Sequence, residues 1–345
     1  MEDGPSGPGT SPEQLALFGQ PGHGTPSGER RLSDAAAAYL VLLGSIKRSA
    51  HSIRATRLDL EGLARHLGDP PLATVTADQL RGFVARLNVQ DGLAPGSVTR
   101  KIASIKGLFR HAMAEGWLAG DPAAPLVYPR ARRGLPVFLE EPEVDRLVLA
   151  ASRNPFWEAA VLVLADAGLK SDEFLALEPA DVYVDDRAPE KSYLVVRRTR
   201  EAKRLRARTL LLTPRLRSAL RRCLDEQGTG SGPLFAVTPR AVNSMLESLT
   251  GLAGLRRVGR VTPQMLRESF AVRRVRRHLA AEAEAAARGA PETELRALRA
   301  RHDAELHELL GLSADDPERL AQVAGKYRRL AGAGAVARKP AVAQA

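Results

Sequence analysis

Apolar residues recur along the first third of the chain at the spacing of amphipathic helices, three and four apart. From residue 32 to 116 this pattern predicts four helices. Ser33 is a candidate cap for the first, which runs through Tyr39 and Leu43. Ser52 is placed to cap the second, whose apolar members are Leu58, Leu60, Leu63 and Leu67, and Gly68-Asp69-Pro70-Pro71 stops it. Thr76 and Gln79 have capping-box spacing and open a third helix that reaches about Leu87. A loop at 92–97 leads into a fourth helix ending near Ala114.

The fourth helix has two distinct faces. Val98, Ile102, Ile105, Phe109 and Ala112 form an apolar stripe, while Arg100, Lys106 and Arg110 lie on the other side with the small residues Ala103 and Gly107 between them. A basic face relieved by small side chains would let a phosphate backbone approach. A solvated face explains the same charges equally well.

Beyond residue 120 the periodicity lapses. Residues 121–136 are rich in Pro and Arg and are expected to be a linker. Helical patterns return at 141–151 and 157–166. Strand formers then cluster at 192–196 and 208–212, on either side of a cationic stretch, which predicts a β-hairpin with a basic turn. A charged helical segment, 279–308, comes later. Both ends, 1–30 and 331–345, have too little to bury and are expected to be disordered tails.

Composition agrees with a mainly helical protein. Apolar residues make up 44% of the chain but aromatics only 4%, so Leu, Ala and Val must build the core. Charge distribution adds more. Residues 187–222 hold 13 Lys and Arg against Glu190 and Glu201, a net of +11 that equals the excess of the whole chain. Eight Arg face only Glu268 between 254 and 279. Clustering of this kind favours a nucleic-acid partner over a membrane.

The single Cys223 rules out an internal disulfide and a Cys-based zinc cluster, and the seven His show no ligand spacing. No apolar run is long enough for a membrane span, no signal-peptide pattern is present and no Gly-rich phosphate loop appears. The expected setting is a reducing cytoplasm, in association with the nucleoid when DNA is bound, with no cofactor and no metal.

Several segments, in order, resemble the tyrosine recombinase (phage integrase) family. Leu93-Ala94-Pro95-Gly96-Ser97-Val98, Ala114-Glu115-Gly116-Trp117 and Leu135-Pro136-Val137-Phe138 resemble its helical half and the entry to its catalytic half. Gly168-Leu169-Lys170-Ser171-Asp172-Glu173, with Asp181 after it, is similar to the box that carries the first catalytic Arg, and Lys170 stands in that Arg's place. Thr262-Pro263-Gln264-Met265-Leu266-Arg267-Glu268-Ser269-Phe270-Ala271 is similar to the His-x-x-Arg-His box. It retains Arg267, with Gln264 and Glu268 at the two His positions. Leu310-Gly311-Leu312 replaces Leu-Gly-His, and Tyr327 follows Leu312 by 15 residues where the family's nucleophilic Tyr follows by about nine.

The resemblance spans about 31–330. It implies an α+β fold, mainly α with a small β-sheet: a helical SAM-like core-binding domain over 31–120 and an integrase-type catalytic domain over 137–330. It also implies double-stranded DNA as the partner, homo-oligomers on DNA and no cofactor. The family places a Lys in the hairpin turn. Lys203 is the only Lys there, five residues before Arg208, with Arg200 or Arg198 as alternatives. The implied catalytic set is Tyr327, Arg267, Lys170, Lys203 and Gln264; the implied DNA contacts are Arg100, Lys106, Arg110, Arg198, Arg200 and Arg208.

In this family the Tyr hydroxyl attacks a DNA phosphate while two Arg hold its non-bridging oxygens. Lys170 keeps the charge but not the bidentate fork. Gln264 cannot take up a proton, and general acid–base help is worth about 10²–10⁴ in rate. Leu312 offers no donor, and Glu268 sets a carboxylate where phosphate should bind unless Arg273, Arg274 or Arg276 neutralises it. These substitutions predict a DNA clamp with weak or no cleavage. The alternatives are an active divergent recombinase, with His302 or His307 supplying missing groups, and a structural or regulatory DNA-binding protein.

Overall fold

The computed structural model describes residues 30–129, 136–197, 207–227, 232–255, 258–312 and 317–333. The chain divides into two units, 1–133 and 134–345.

The first unit is built from α1 (Leu32–Ser45), α2 (Ala50–Leu67), α3 (Ala77–Val89) and α4 (Pro95–Ala114). The predicted stripe of α4 forms its centre: Val98, Ile102, Ile105, Phe109 and Ala112 are fully buried and pack with Leu32, Leu60, Leu63 and Leu80. Ala123 and Leu126, inside the segment expected to be a linker, are buried in the same core.

Two caps differ from expectation. Ser49, not Ser52, caps α2, its hydroxyl accepting from the Ser52 N–H at 3.2 Å. Helix α1 begins before Ser33, whose N–H and hydroxyl both reach the Asp69 carboxylate at 2.8 Å and so tie the start of α1 to the end of α2. The capping box at Thr76 and Gln79 is formed as predicted. Gly68, at φ +75°, ends α2 in the left-handed conformation that its lack of a Cβ permits.

The second unit opens with α5 (Glu141–Ala151), α6 (Pro155–Asp166) and the short α7 (Ser171–Leu175). A three-stranded antiparallel sheet follows, in the order β1 (Val182–Tyr183), β2 (Tyr193–Val196) and β3 (Arg208–Leu211). The predicted hairpin is β2–β3, with Val196 opposite Arg208. Strand β1 has only two residues, too few to show an alternation in sequence. Helices α8 (Pro214–Gln227), α9 (Pro239–Leu252), α10 (Pro263–Ala287), α11 (Glu292–Leu309) and α12 (Pro317–Ala333) complete the unit.

Helix α6 is buried on every side, so its apolar run lacks a polar face and forms the middle of the main core. The segment expected as one charged helix is broken at Gly289, at φ +80°, which turns the chain from α10 into α11. A smaller core joins Phe138, Phe270, Val275, Leu306, Leu310, Tyr327 and Leu330. This core carries the candidate site.

Candidate active site

Thr262 caps α10, accepting from the Met265 N–H at 3.2 Å, with Pro263 in the first turn as its sequence suggests. The cap fixes the phase of the helix. Gln264, Arg267 and Glu268 then fall on one side of the helix, where Arg267 meets Gly168 and Leu310 and Glu268 meets Lys326 of α12. Ser269 accepts from the Leu139 N–H at 2.7 Å and so holds the entry strand of the unit on the same helix.

Arg267 is buried, and its two terminal nitrogens donate to the backbone carbonyls of Gly168 and Leu310. Burial is the main influence on its guanidinium and lowers its proton affinity, with Glu173 opposing. Gly168 is shaped for this contact. It lies at φ +61°, and a Cβ there would stand 2.4 Å from Cδ1 of Phe270. Glycine is therefore required twice over, by conformation and by space.

Lys170 sits at the start of α7, half-buried, its backbone N–H donating to Glu173 Oε2 at 2.9 Å. Glu173 and Arg208 form a bidentate pair, both contacts 2.8 Å, with 4% and 5% of their side-chain surfaces exposed. Burial works to raise the Glu173 carboxyl. The hydrogen bonds and charge of Arg208, with the Lys170 N–H and charge, outweigh it and bring the group down to about 2. Arg208 Nε also donates to the Leu309 carbonyl at 3.1 Å. Arg208 is thus not the surface DNA contact expected from the basic run around it. Its β-strand alternation points it inward, where each guanidinium nitrogen donates once, two to Glu173 and one to the end of α11.

Tyr327 is brought into this cluster, although its distance from Leu312 departs from the family spacing. The ring is buried and its hydroxyl is directed at Glu268. Burial first, then the charge and hydrogen bond of Glu268, push the phenol well above the ordinary tyrosine range, with Arg267 opposing. Gln264 Nε2 donates to the same carboxylate at 2.7 Å. The cation that neutralises Glu268 is Lys326, at 3.0 and 2.9 Å from its two oxygens.

The three arginines considered for that role are committed elsewhere. Arg273 binds Glu141, Asp166 and the Ala165 carbonyl, Arg276 binds Glu140 and Arg274 pairs with Glu305. Arg273, Arg274 and Arg277 instead line a cleft of about 480 Å³ with Arg215, Glu141 and Asp166. His302 and His307 do not reach Tyr327 either. His302 Nδ1 is 2.8 Å from Glu282, and His307 Nε2 is 2.9 Å from the Leu320 carbonyl. Lys203, Arg198 and Arg200 lie outside the described residues.

In the first unit, Arg100 binds the buried Asp59 and the Ala55 carbonyl, with Lys101 on the other oxygen of Asp59 at 3.1 Å. Lys106 donates to the Ala124 carbonyl at 3.1 Å and lies 5.4 Å from the centre of the Tyr128 ring. Arg110 is exposed, its Nε bonded to the Lys106 carbonyl one turn back. Gly107 is buried and does not open the basic face: a Cβ there would lie 2.1 Å from the Tyr39 hydroxyl, so the space it leaves belongs to Tyr39.

Two partners escaped the sequence reading. Glu173 is the internal counter-ion of Arg208, and Lys326 that of Glu268. Only the adjacency of Lys326 to Tyr327 offered a signal. Among the described residues no group of three His, Cys, Asp or Glu could hold a metal, and no helix is long and apolar enough to cross a membrane.

Residues 37–116 match the family model described as the phage integrase N-terminal SAM-like domain. A tyrosine recombinase XerD from Caulobacter vibrioides is 28% identical over 259 residues, covering 68% of this chain and 81% of that one. The XerC of Azotobacter vinelandii is 30% identical over 240 residues, 65% of this chain and 76% of the relative. That of Erythrobacter litoralis is 30% identical over 256 residues, 70% and 78%. A lambda integrase dimer bound to a COC' core site matches in structure with a TM-score of 0.63 at 16% identity, over 96% of this chain and 85% of that one. At that identity the likeness is one of fold. Together with the 30% identity that runs over 76% and 78% of the two XerC proteins, it makes this chain a member of the tyrosine recombinase family.

Proposed function

We propose that the protein binds double-stranded DNA through this fold and has weak or no strand-cleavage activity. The observation that carries the reading is the engagement of Arg267, the one retained catalytic arginine, whose terminal nitrogens each donate to a backbone carbonyl, of Gly168 and of Leu310. An arginine stabilises a reacting phosphate by offering its planar fork to two oxygens. A buried guanidinium with a donor of each terminal nitrogen committed to backbone is held in place and has fewer left to offer a phosphate. Lys170 has no such fork, and Gln264 cannot exchange a proton.

DNA binding makes no such demand, because phosphate contacts need only charge and reach. The clustered excess of Arg and Lys supplies both. The solved relatives include a lambda integrase dimer on a core site and a lambda integrase tetramer on a Holliday junction. By that likeness the protein assembles as a homo-oligomer on DNA, in the cytoplasm.

A second reading, an active divergent recombinase with Tyr327 as nucleophile, is favoured by one observation. Tyr327 is gathered beside Arg267 and Glu268 despite its unusual spacing. The two are separated by SDS-resistant protein–DNA adducts, with Tyr327→Phe as control. The expected result is salt-sensitive retention of duplex DNA with no adduct above the Phe variant. An adduct lost in that variant would establish cleavage and overturn the first reading. Absence of both adduct and retention would remove the DNA reading.

A further inference from the structure

Lys326 stands at the solvent edge of the Tyr327 cluster. A third of its side chain is open, against 7% for Glu268, whose two oxygens its Nζ bridges at 3.0 and 2.9 Å. The same Nζ lies 4.5 Å from the centre of the Tyr327 ring. The Gln264 amide donates to one of the same carboxylate oxygens, and the Tyr327 hydroxyl interacts with the carboxylate as well. One internal anion therefore gathers an ammonium, an amide and a phenol.

Those are the donors a phosphodiester oxygen accepts. A phosphodiester carries the same single negative charge as the carboxylate that holds them here. The ammonium has three donors on a flexible stem, so it can leave one anion for another without the fixed geometry that ties down Arg267. What opposes the exchange is Glu268. Once Lys326 turns away, a buried carboxylate is left without its counter-charge and close to an incoming phosphate, and both effects are unfavourable.

We propose that Lys326 is a phosphate-contacting residue of this site, with Glu268 holding its ammonium until a DNA phosphate displaces it. The carboxylate is then a resident competitor for the position a phosphate would take. This rests on the DNA-binding reading above and adds to it the residue, the competitor and the exchange between them.

The test compares duplex-DNA affinity across a range of salt for the full chain and for Glu268→Gln, Lys326→Met and the double variant. Removing the competing charge in Glu268→Gln should raise affinity by on the order of tenfold. It should also steepen the salt dependence by about one counterion, because the anion that cancels the Lys326 charge is gone. Both gains should vanish in the double variant. Lys326→Met alone should bind more weakly than the native chain, and this variant carries the test if Glu268→Gln fails to fold, as followed by thermal unfolding.

A structural ion pair with no part in phosphate binding would instead change the melting temperature and leave affinity and salt slope alone. That outcome overturns the inference while the DNA reading stands. A gain in Glu268→Gln that persists without Lys326 overturns it too. If neither the native chain nor any variant retains DNA, the DNA-binding reading falls and the inference falls with it.

Discussion

Arg208 and Glu173, 35 residues apart in sequence, face each other as a fully buried bidentate ion pair at 2.8 Å. The pair joins β3 to α7, and Arg208 Nε extends the tie to the Leu309 carbonyl at the end of α11. Removing one partner strands a charge in the interior, which is more damaging than removing both. Arg208→Met is therefore expected to destabilise the second unit by about 3–5 kcal/mol. Adding Glu173→Leu should recover a large part of that loss. Urea unfolding of the two variants checks this, and equal destabilisation by the single and double changes would refute it.

The same pair sets an acid limit on stability. The Glu173 carboxyl is held down to about 2, below its unfolded value. A depressed acid contributes stability that is fully present above the unfolded value and is lost as pH falls through the folded one. Asp166 shifts in the same direction: burial raises it, and the hydrogen bond and charges of Arg215 and Arg273 more than offset that. Stability should hold at neutral pH and fall from about pH 4.5 toward pH 2. In Arg208→Met the slope over this window should be shallower, as read from urea midpoints against pH. An unchanged slope would mean that the pair does not govern it.

Gly168 supplies a sharper local test. Gly168→Ala would place a Cβ 2.4 Å from the Phe270 ring on a backbone at φ +61°. Left-handed backbone and overpacking add, for an expected loss of about 2–4 kcal/mol. Phe270→Ala removes the Cγ, Cδ1 and Cε1 atoms that the Cβ meets, so, measured against Phe270→Ala alone, it should relieve the packing share but not the backbone share. A Gly168→Ala variant that melts like the native protein would contradict both the conformation and the contact.

How much of this was legible in the sequence depends on the distance over which each feature is decided. Helix α4 was readable because its stripe repeats every three to four residues within one segment, and each stripe residue is buried. The stop at Gly68 was readable for the same local reason. Gly107 was not: its neighbour is Tyr39, on another helix, and sequence shows only a small residue on a basic face. Ser33 has the chemistry of a cap, but its hydroxyl is drawn to Asp69, 36 residues on. Arg208 sits in a run of cations that reads as surface, while the strand alternation turns it inward and Glu173, a tertiary partner, balances its charge there. The family's order of boxes located the cluster around Arg267 and Tyr327, because each box is a short local pattern. The partners inside the cluster, Lys326 with Glu268 above all, are tertiary choices between segments 58 residues apart.

Helices α10 and α11 are joined by a pair of stacked imidazoles, His278 and His302, with ring centres 4.2 Å apart and planes within 6°. Glu305, at 3.1 Å, and Arg274 face His278. Glu282, at 2.8 Å from His302, also takes a bidentate contact from Arg328 and a longer one from Arg299, while Asp303 binds Arg328. Burial first, then the neighbouring His302 ring, lower the proton affinity of His278 below the ordinary histidine value, against the pull of Glu305. A histidine depressed in the folded state is stabilising as the neutral ring, so stability is full above its unfolded value and declines as pH falls through the lower folded one. Hydrogen exchange in α10 and α11, corrected for its intrinsic pH dependence, should therefore rise as pH drops from about 7.5 to 5.5. His278→Phe keeps a flat ring in the stack but has nothing to protonate, so its exchange should vary less over the same range. If the native protein and His278→Phe respond alike, the stacked pair does not couple these helices to pH, and Glu305 has to be holding His278 charged throughout.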